Sequence, residues 1–151
     1  MWDNLIFGTT KRKINKTILN DGEISLEVNW ISQQEYGFNI ILLSTKEQVG
    51  QCDLRTKHNE SMFYYGNIGY RVYPKYRGHS YALKACKLLL NLARTLKVEY
   101  LILTVSPDNV ASVSTIEKLG CKYIETVDVP VWHPLHKRGE TVKLIYRLDL
   151  N

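Results

Sequence analysis

The stretch YPKYRGHSYALKACKLLL, residues 73–90, begins as a basic turn rich in small residues and ends as an apolar helix. From about Ser80 its apolar residues recur at three- and four-residue steps, which is typical of a helix packed on a core. The first N–H groups of such a helix lack partners and carry partial positive charge. Gly78 lets a ligand approach this backbone closely, and Arg77 adds a full charge. The stretch therefore predicts a phosphate site, although an ordinary strand–helix corner with a serine cap fits it equally well.

Around this unit the chain alternates between strand and helix patterns. A second helix with its cap region is predicted over 106–119, where Gly120 ends it. Apolar alternation and dense β-branched or aromatic runs predict strands at 23–31, 37–44, 49–56, 64–74, 100–105, 121–129 and 141–150. Helices that interrupt a meandering series of strands predict an α+β fold with a mixed sheet.

Bulk composition limits the class of protein. A length of 151 residues with 44% hydrophobic and 23% charged residues predicts one globular domain over 1–151. The longest apolar runs are too short to span a bilayer, so no membrane partner is expected. The basic run at 11–13 follows a short apolar stretch, the reverse of a signal peptide, and we expect a cytoplasmic protein. The remaining basic residues are scattered, which argues against nucleic acid as a partner.

Cysteine and histidine spacing gives no metal signature. The three cysteines, Cys52, Cys86 and Cys121, lie inside apolar segments and are odd in number, which predicts reduced core residues. His133 and His136 are three apart, but Pro134 lies between them and no pair of cysteines accompanies them. We therefore expect no metal ion.

Two motifs in order carry a family resemblance. GNIGYRVYPKYRGHSYALKA at 66–85 and DNVASVSTIEKLG at 108–120 resemble the GNAT family of N-acetyltransferases, most clearly over residues 49–128. The family's first motif falls on Arg77, Ser80 and Ala82. Its second motif falls on Asn109, Ser112, Glu117, Lys118 and Gly120.

The resemblance implies a mostly antiparallel sheet that opens between its fourth and fifth strands, with acetyl-CoA as co-substrate in the opening. The main chain of Tyr70, Arg71 and Val72 would pair with pantetheine, and the Val72 amide would face the acetyl carbonyl and its oxyanion. Asn109 would bond the pantetheine arm, with Ser112 beside it. The pyrophosphate would lie beside the charge of Arg77. It would accept hydrogen bonds from the main-chain amides of Gly78, His79, Ser80, Tyr81, Ala82 and Leu83.

This sequence departs from the family at two positions. Ser80 stands where glycine is usual, so a Cβ must be tolerated near the phosphates. Ile116 stands where many members carry the tyrosine that protonates the leaving thiolate, so the thiolate would leave through water or another group.

The general base is specified only weakly. Asp53 and Arg55 are two apart on one strand, so they share a face, and a salt bridge is the simpler interpretation. His133 and His136 lie in the long loop before the last strand, which in such a fold borders the acceptor groove, and imidazole has a suitable pKa. Trp132 beside them is interpreted as a lid or packing residue. Asp53, His133 and His136 are the three base candidates.

The resemblance predicts transfer of an acetyl group to a small-molecule or peptide amine by direct attack. A non-catalytic CoA-binding or sensing module on the same fold is the alternative function, which the absence of a tyrosine at Ile116 leaves open. Assembly into a homodimer is also left open. The family's acceptor-binding helices usually lie between its first two strands, where only SQQEY stands here. Either those helices are missing or the first strand is misassigned.

Overall fold

The computed structural model describes residues 19–151; the basic run at 11–13 lies outside them. Its elements in chain order are β1 (Ile24–Ser32), β2 (Glu35–Leu42), β3 (Gln48–Arg55), α1 (Glu60–Tyr65), β4 (Ile68–Val72), α2 (Tyr81–Thr95), β5 (Tyr100–Val105), α3 (Val110–Lys118), β6 (Lys122–Asp128), α4 (Pro134–Lys137) and β7 (Val142–Asp149).

The first four strands form one antiparallel sheet in chain order. β1 and β2 are joined by a turn of two residues, in which Gln34 takes a left-handed conformation with φ of 67°. The predicted first strand is therefore correctly assigned, and between residues 24 and 42 the chain has no room for a helix.

The last three strands form a second antiparallel sheet in the order β5, β7, β6. β4 and β5, which the helix α2 connects, are neighbours that form no ladder with each other. The predicted α+β fold, with a mostly antiparallel sheet open between the fourth and fifth strands, is confirmed.

The core lies between α2 and the two sheets. Leu89, Leu92 and Ala93 of α2 are fully buried, as are Phe38 and Leu54 of the first sheet. Burying a leucine side chain stabilises the fold by about 2 kcal/mol relative to leaving it exposed. The apolar stripe predicted from residue spacing is thus the face that α2 packs on the strands.

Two predictions of local structure are wrong. The strand predicted at 64–74 begins only at Ile68, because α1 occupies its start: Asn59 caps that helix by accepting the Met62 N–H, and Gly66, with φ of 81°, ends it. The aromatic pair Tyr64–Tyr65, taken from strand propensity, belongs to this helix. The loop predicted at 130–140 contains the one-turn helix α4, whereas the second helix, Val110–Lys118 with its cap Asn109, lies within the predicted range of 106–119.

The described residues bear on three further predictions. All three cysteines are free thiols; Cys52 and Cys86 are buried and Cys121 is half-buried, as predicted for reduced core residues. Residues 19–151 contain no group of three His, Cys, Asp or Glu side chains arranged to hold a metal ion. In the same range, no helix has both the length and the apolar character needed to cross a bilayer.

Candidate active site

The turn between β4 and α2 has the geometry that its small residues predict. A short 3-10 helix at Pro74–Tyr76 reverses the chain. Gly78 and Ser80 then take left-handed conformations, with φ of 89° and 61°. A side chain in that region costs about 1–2 kcal/mol, which is why glycine suits it. Ser80 therefore occupies a backbone position that favours glycine, the residue usual in the resembled motif.

The turn leaves the N-terminus of α2 exposed to solvent. Ser80 is the N-cap residue, but its side chain makes no capping hydrogen bond. The first-turn N–H groups after it, from Tyr81 onwards, consequently remain available to an anion. Arg77 is exposed beside them, and its Nε donates to the Val72 carbonyl over 3.3 Å. Positive potential is therefore concentrated between the end of β4 and the start of α2.

Part of the β4 main chain directs its N–H and C=O groups into the opening between β4 and β5. Near its ends, Asn67 and Tyr73 make main-chain hydrogen bonds with β3, 2.7 and 2.9 Å long. Because such pairs alternate along an antiparallel ladder, Arg71 also turns its N–H and C=O toward β3. Tyr70 and Val72 turn theirs away from β3. The geometry thus offers the main chain of Tyr70 and Val72 to a ligand, but not that of Arg71.

Asn109 begins α3 on the other side of the opening. Its Oδ1 accepts the Ser112 N–H over 3.2 Å, which is the predicted helix cap. This bond fixes the side chain and leaves the Nδ2 amide as the group that can donate to a ligand carbonyl.

These three segments line one cleft of about 480 Å³. Its lining residues are Tyr70, Arg71, Val72, Tyr76, Arg77, Gly78, Ser80, Tyr81, Ala82, Asn109, Ala111, Ser112 and Thr115. Of the residues predicted to bind a cofactor, only His79 and Leu83 are outside the lining. The His79 ring is stacked on Tyr81, with ring centroids 5.3 Å apart. Another cavity, of about 530 Å³, shares none of these residues and lies against the second sheet and α1.

Asn67 connects the two sheets by hydrogen bonds at the end of the opening where β4 begins. This residue was not identified from the sequence. The Asn67 N–H donates to the Ile102 carbonyl over 2.6 Å, and its Oδ1 accepts the Ile102 N–H over 2.7 Å. Its Nδ2 donates to the carbonyls of Arg55 and Lys57. Asn67 is completely buried. The two sheets are therefore tied together at the start of β4, and no ladder joins β4 to β5 beyond it.

Two further clefts adjoin the first. One of about 480 Å³ shares Tyr70, Asn109 and Ser112 with it, and its charged residues are Arg55, Arg138, Glu140 and Lys143. The other, of about 300 Å³, is lined by Asn29, Trp30, Phe38, Gln51, Cys52, Asp53, Tyr70 and Arg71. Tyr70 is the residue common to all three.

Asp53 and Arg55 form the salt bridge that their spacing predicts. The Arg55 Nε lies 2.7 Å from the Asp53 Oδ2. The pair rests over Gly69 of β4, where a Cβ would come within 2.5 Å of the Asp53 Oδ1. Burial raises the pKa of Asp53, and the Arg55 guanidinium opposes that shift without cancelling it. A carboxylate with a raised pKa at the wall of a cleft is suited to accept a proton.

The two histidines do not share this position. His133 is completely buried; its Nδ1 accepts the Leu135 N–H over 3.1 Å, and its Nε2 lies 3.0 Å from the Ser61 carbonyl oxygen. Because a carbonyl only accepts, Nε2 carries the proton, and neither nitrogen is left for a substrate. His136 is half-buried on α4 and lines none of the three clefts. The geometry favours a structural role for His133, which caps α4, over its predicted role as a base.

Trp132 and Ile116 also take defined positions. Trp132 is 54% exposed, and its ring lies edge-on to Tyr64 of α1. Ile116 is 2% exposed and packs in the core cluster, away from the cleft lining. Position 116 therefore contributes no side chain to the site.

Comparison with known proteins connects this geometry to a family. A family model described as an acetyltransferase (GNAT) domain matches residues 9–122. A search of curated proteins gives no match.

Solved structures of acetyltransferases have a similar fold. An acetyltransferase (GNAT family) from Bacillus anthracis has a TM-score of 0.61 at 23% identity over 76% of this chain and 66% of that one. The ribosomal-protein-S5-alanine acetyltransferase from Vibrio fischeri has a TM-score of 0.62 at 11% identity over 78% and 63%. Mycobacterium smegmatis RimJ in complex with CoA-disulfide has a TM-score of 0.59 at 19% identity over 77% and 53%. The chain thus spans less than two thirds of the length of each, and at these identities the similarity establishes the fold.

Proposed function

The chain belongs to the GNAT family of acetyltransferases, and from that premise we propose that it transfers the acetyl group of acetyl-CoA to an amine by direct attack. One observation carries the proposal: β4, the turn with the start of α2, and the start of α3 line a single cleft of about 480 Å³. The three segments supply different binding groups, and each of these groups would have a counterpart in acetyl-CoA.

The residues of the cleft fit acetyl-CoA along its length. The amides after Gly78 and the guanidinium of Arg77 would hold the pyrophosphate at the N-terminus of α2. Tyr70 and Val72 would pair with the pantetheine as an added strand does, because their N–H and C=O groups point away from β3. The Asn109 amide would donate to a pantetheine carbonyl from the opposite wall.

The thioester would lie beside the Val72 N–H. This amide can donate to the acetyl oxygen and stabilise the negative charge that forms there when an amine attacks. The fixed strand geometry costs no reorganisation at the moment of reaction. The Val72 carbonyl accepts from Arg77, which keeps this part of β4 beside the phosphate-binding turn.

The acceptor amine would approach from the two clefts that share Tyr70 with the first. Asp53 lines one of them and is the base that we retain, since burial raises its pKa above the ordinary value. His133 is not retained because both of its nitrogens already have partners. His136 stays a prediction from the sequence.

A transfer screen tests this function. The protein is incubated with acetyl-CoA and a panel of amino acids, polyamines, small aromatic amines and peptides, and release of free CoA is followed together with product mass. We expect CoA release that depends on one class of amine. Binding of acetyl-CoA without transfer to any class would instead support the non-catalytic CoA-binding alternative.

A further inference from the structure

The hydroxyl of Tyr70 is buried and makes no hydrogen bond of ordinary geometry, although the hydroxyls of Ser112 and Thr115 lie near enough to affect its pKa. Within residues 19–151 it is the one buried side-chain oxygen or nitrogen atom that makes no hydrogen bond. A buried hydroxyl without a partner costs about 1–3 kcal/mol, so such groups are rare in folded proteins. A ligand that enters the neighbouring cleft can supply the missing partner.

The strand places this side chain where β4 faces α3. Tyr70 is the register partner of Cys52, which is buried in the core, so its ring lies on the same face of the sheet as the core residues. The hydroxyls of Ser112 and Thr115, on α3, lie near it and line the same cleft. Tyr70 also lines the two adjoining clefts, so this residue lies where the three meet.

Tyr70 also lies close along β4 to Val72, whose N–H is proposed to bind the acetyl oxygen. Val72 is two residues further along the same strand edge, about 7 Å at the rise of a strand. A thioester whose oxygen bonds the Val72 N–H has its sulfur within a few ångströms of that oxygen. Tyr70 is the one residue of β4 with a side-chain hydroxyl, and it lies on the strand beside the expected position of the sulfur.

The electrostatic surroundings keep the Tyr70 proton in place at neutral pH. Burial raises the pKa of the phenol, and the Ser112 and Thr115 hydroxyls oppose this shift only in part. A phenol that keeps its proton at neutral pH can donate it to sulfur as the carbon–sulfur bond breaks and negative charge forms there.

We propose that the Tyr70 hydroxyl is the general acid that protonates the sulfur of CoA as it leaves. The inference rests on the proposed acetyl transfer. The acceptor nitrogen forms a bond to the acetyl carbon, and the carbon–sulfur bond breaks with its electron pair going to sulfur. Tyr70 gives its proton to that sulfur, and the proton that the attacking nitrogen loses goes to Asp53 or water. Solvent in the cleft then reprotonates the phenolate.

This assignment answers the question that position 116 raises. Ile116 has no ionisable group and is directed into the core, so α3 supplies no acid from that position. A tyrosine on β4 reaches the same cleft from the opposite wall.

A binding experiment tests the acid without requiring an acceptor. Affinities of CoA and of desulfo-CoA, in which hydrogen replaces the thiol, are measured by calorimetry between about pH 7 and about pH 9.5, the range around an ordinary thiol pKa of about 8.5. A hydroxyl that donates to sulfur bonds the thiolate more strongly than the thiol. We expect the preference for CoA over desulfo-CoA to rise roughly fivefold with pH in the parent and to stay flat in Tyr70→Phe.

Turnover provides the second measurement, with acetyl-CoA and the fastest amine of the panel. Loss of a general acid reduces kcat by about 10²-fold at the lower end of its usual range, which suits a leaving group as good as a thiolate. Tyr70→Phe should lose kcat by that factor while its affinity for acetyl-CoA changes less than about twofold. Tyr36→Phe is the matched control, because Tyr36 is buried in the same sheet but lines none of the three clefts.

The outcomes separate the two proposals. If Tyr70→Phe keeps the turnover of the parent and its pH-dependent preference for CoA, that result overturns the role of Tyr70 as general acid and leaves the proposed acetyl transfer unaffected. A parent without turnover on any amine overturns both. Should Tyr70→Phe fold poorly, replacement of Tyr70 by a fluorotyrosine keeps the ring and lowers the phenol pKa. It should then shift the alkaline limb of the kcat profile to lower pH, and an unmoved limb counts against the acid.

Discussion

At the scale of single residues, conformation and burial determine the site more than residue type does. Gly78 and Ser80 are separated by one residue and share the left-handed region, yet only the glycine adopts it without cost. Their role in a phosphate-binding turn could be predicted from the sequence, because small residues and a basic charge before an apolar helix favour an open, positive helix N-terminus. The buried position of His133 could not, because its partners Ser61 and Leu135 depend on how α1 and α4 meet.

Gly78 tests the phosphate-binding turn. Gly78→Asp adds a strained side chain and a negative charge beside the proposed pyrophosphate, so affinity for acetyl-CoA should fall by about tenfold or more, equivalent to about 1.4 kcal/mol. Calorimetric titration with acetyl-CoA measures this.

The control for that variant is Gly120→Asp. Gly120 has φ of 87° and, like Gly78, nothing within 4 Å of an added Cβ. Both variants should lose about 1 kcal/mol of stability from backbone strain, but only the first should lose affinity. Equal affinities for the two variants would place the pyrophosphate elsewhere.

Asp53 provides a pH-dependent prediction. Since burial raises its pKa in the folded state, the folded protein binds a proton at Asp53 more tightly than the unfolded chain does. The parent therefore loses stability at this site as pH rises from below the ordinary value through the raised one. Asp53→Asn has no such titration.

We therefore expect the difference in free energy of unfolding, Asp53→Asn minus parent, to increase with pH across the acidic range. Denaturant unfolding at a series of pH values measures it. The Arg55 salt bridge forms only with ionised Asp53, so its effect is already contained in the net shift of the Asp53 pKa and hence in the slope. A difference that decreases with pH would mean that Arg55 dominates and that Asp53 is a poor base.

At the scale of elements, the decisive feature is how β4 meets β5. The identity of both strands could be predicted from their apolar runs, and the opening between them followed from the resemblance. The tie at Asn67 could not be predicted, because its partners are 10 to 35 residues away and become neighbours only after the sheets assemble. The short helices α1 and α4 were missed for a similar reason: α1 is rich in aromatic residues that also favour strands.

Asn67→Ala tests this tie. The substitution removes three side-chain hydrogen bonds. It leaves the buried Ile102 N–H and the partly buried carbonyls of Arg55 and Lys57 without these partners. We expect a loss of about 2–4 kcal/mol in the free energy of unfolding, measured by denaturant titration.

The comparison variant is Asn59→Ala at the start of α1. It removes one exposed helix cap and should cost only about 1 kcal/mol. Similar losses for the two variants would show that the sheets do not depend on Asn67.

At the scale of the whole molecule, the two antiparallel sheets are joined at one end and separate between β4 and β5. The start of α3, which follows β5, lies on the far side of this opening. Three features line this opening. They are the free main-chain edge of β4, the N-terminus of α2 and the start of α3 with its cap Asn109. None of these features is a binding site by itself, but the fold directs all three into one cleft. The cavity of about 530 Å³ lies elsewhere, against α1 and β7, and shares no predicted site residue.

Amide-resolved hydrogen exchange with and without acetyl-CoA tests the central claim most directly, because it reports which backbone groups the ligand covers. We predict slower exchange at Tyr70, Val72 and the amides from Gly78 to Leu83, with exchange unchanged at His58, Tyr100 and Ile124 around the cavity against α1 and β7. Protection confined to that cavity, or no protection at saturating acetyl-CoA, would contradict the account.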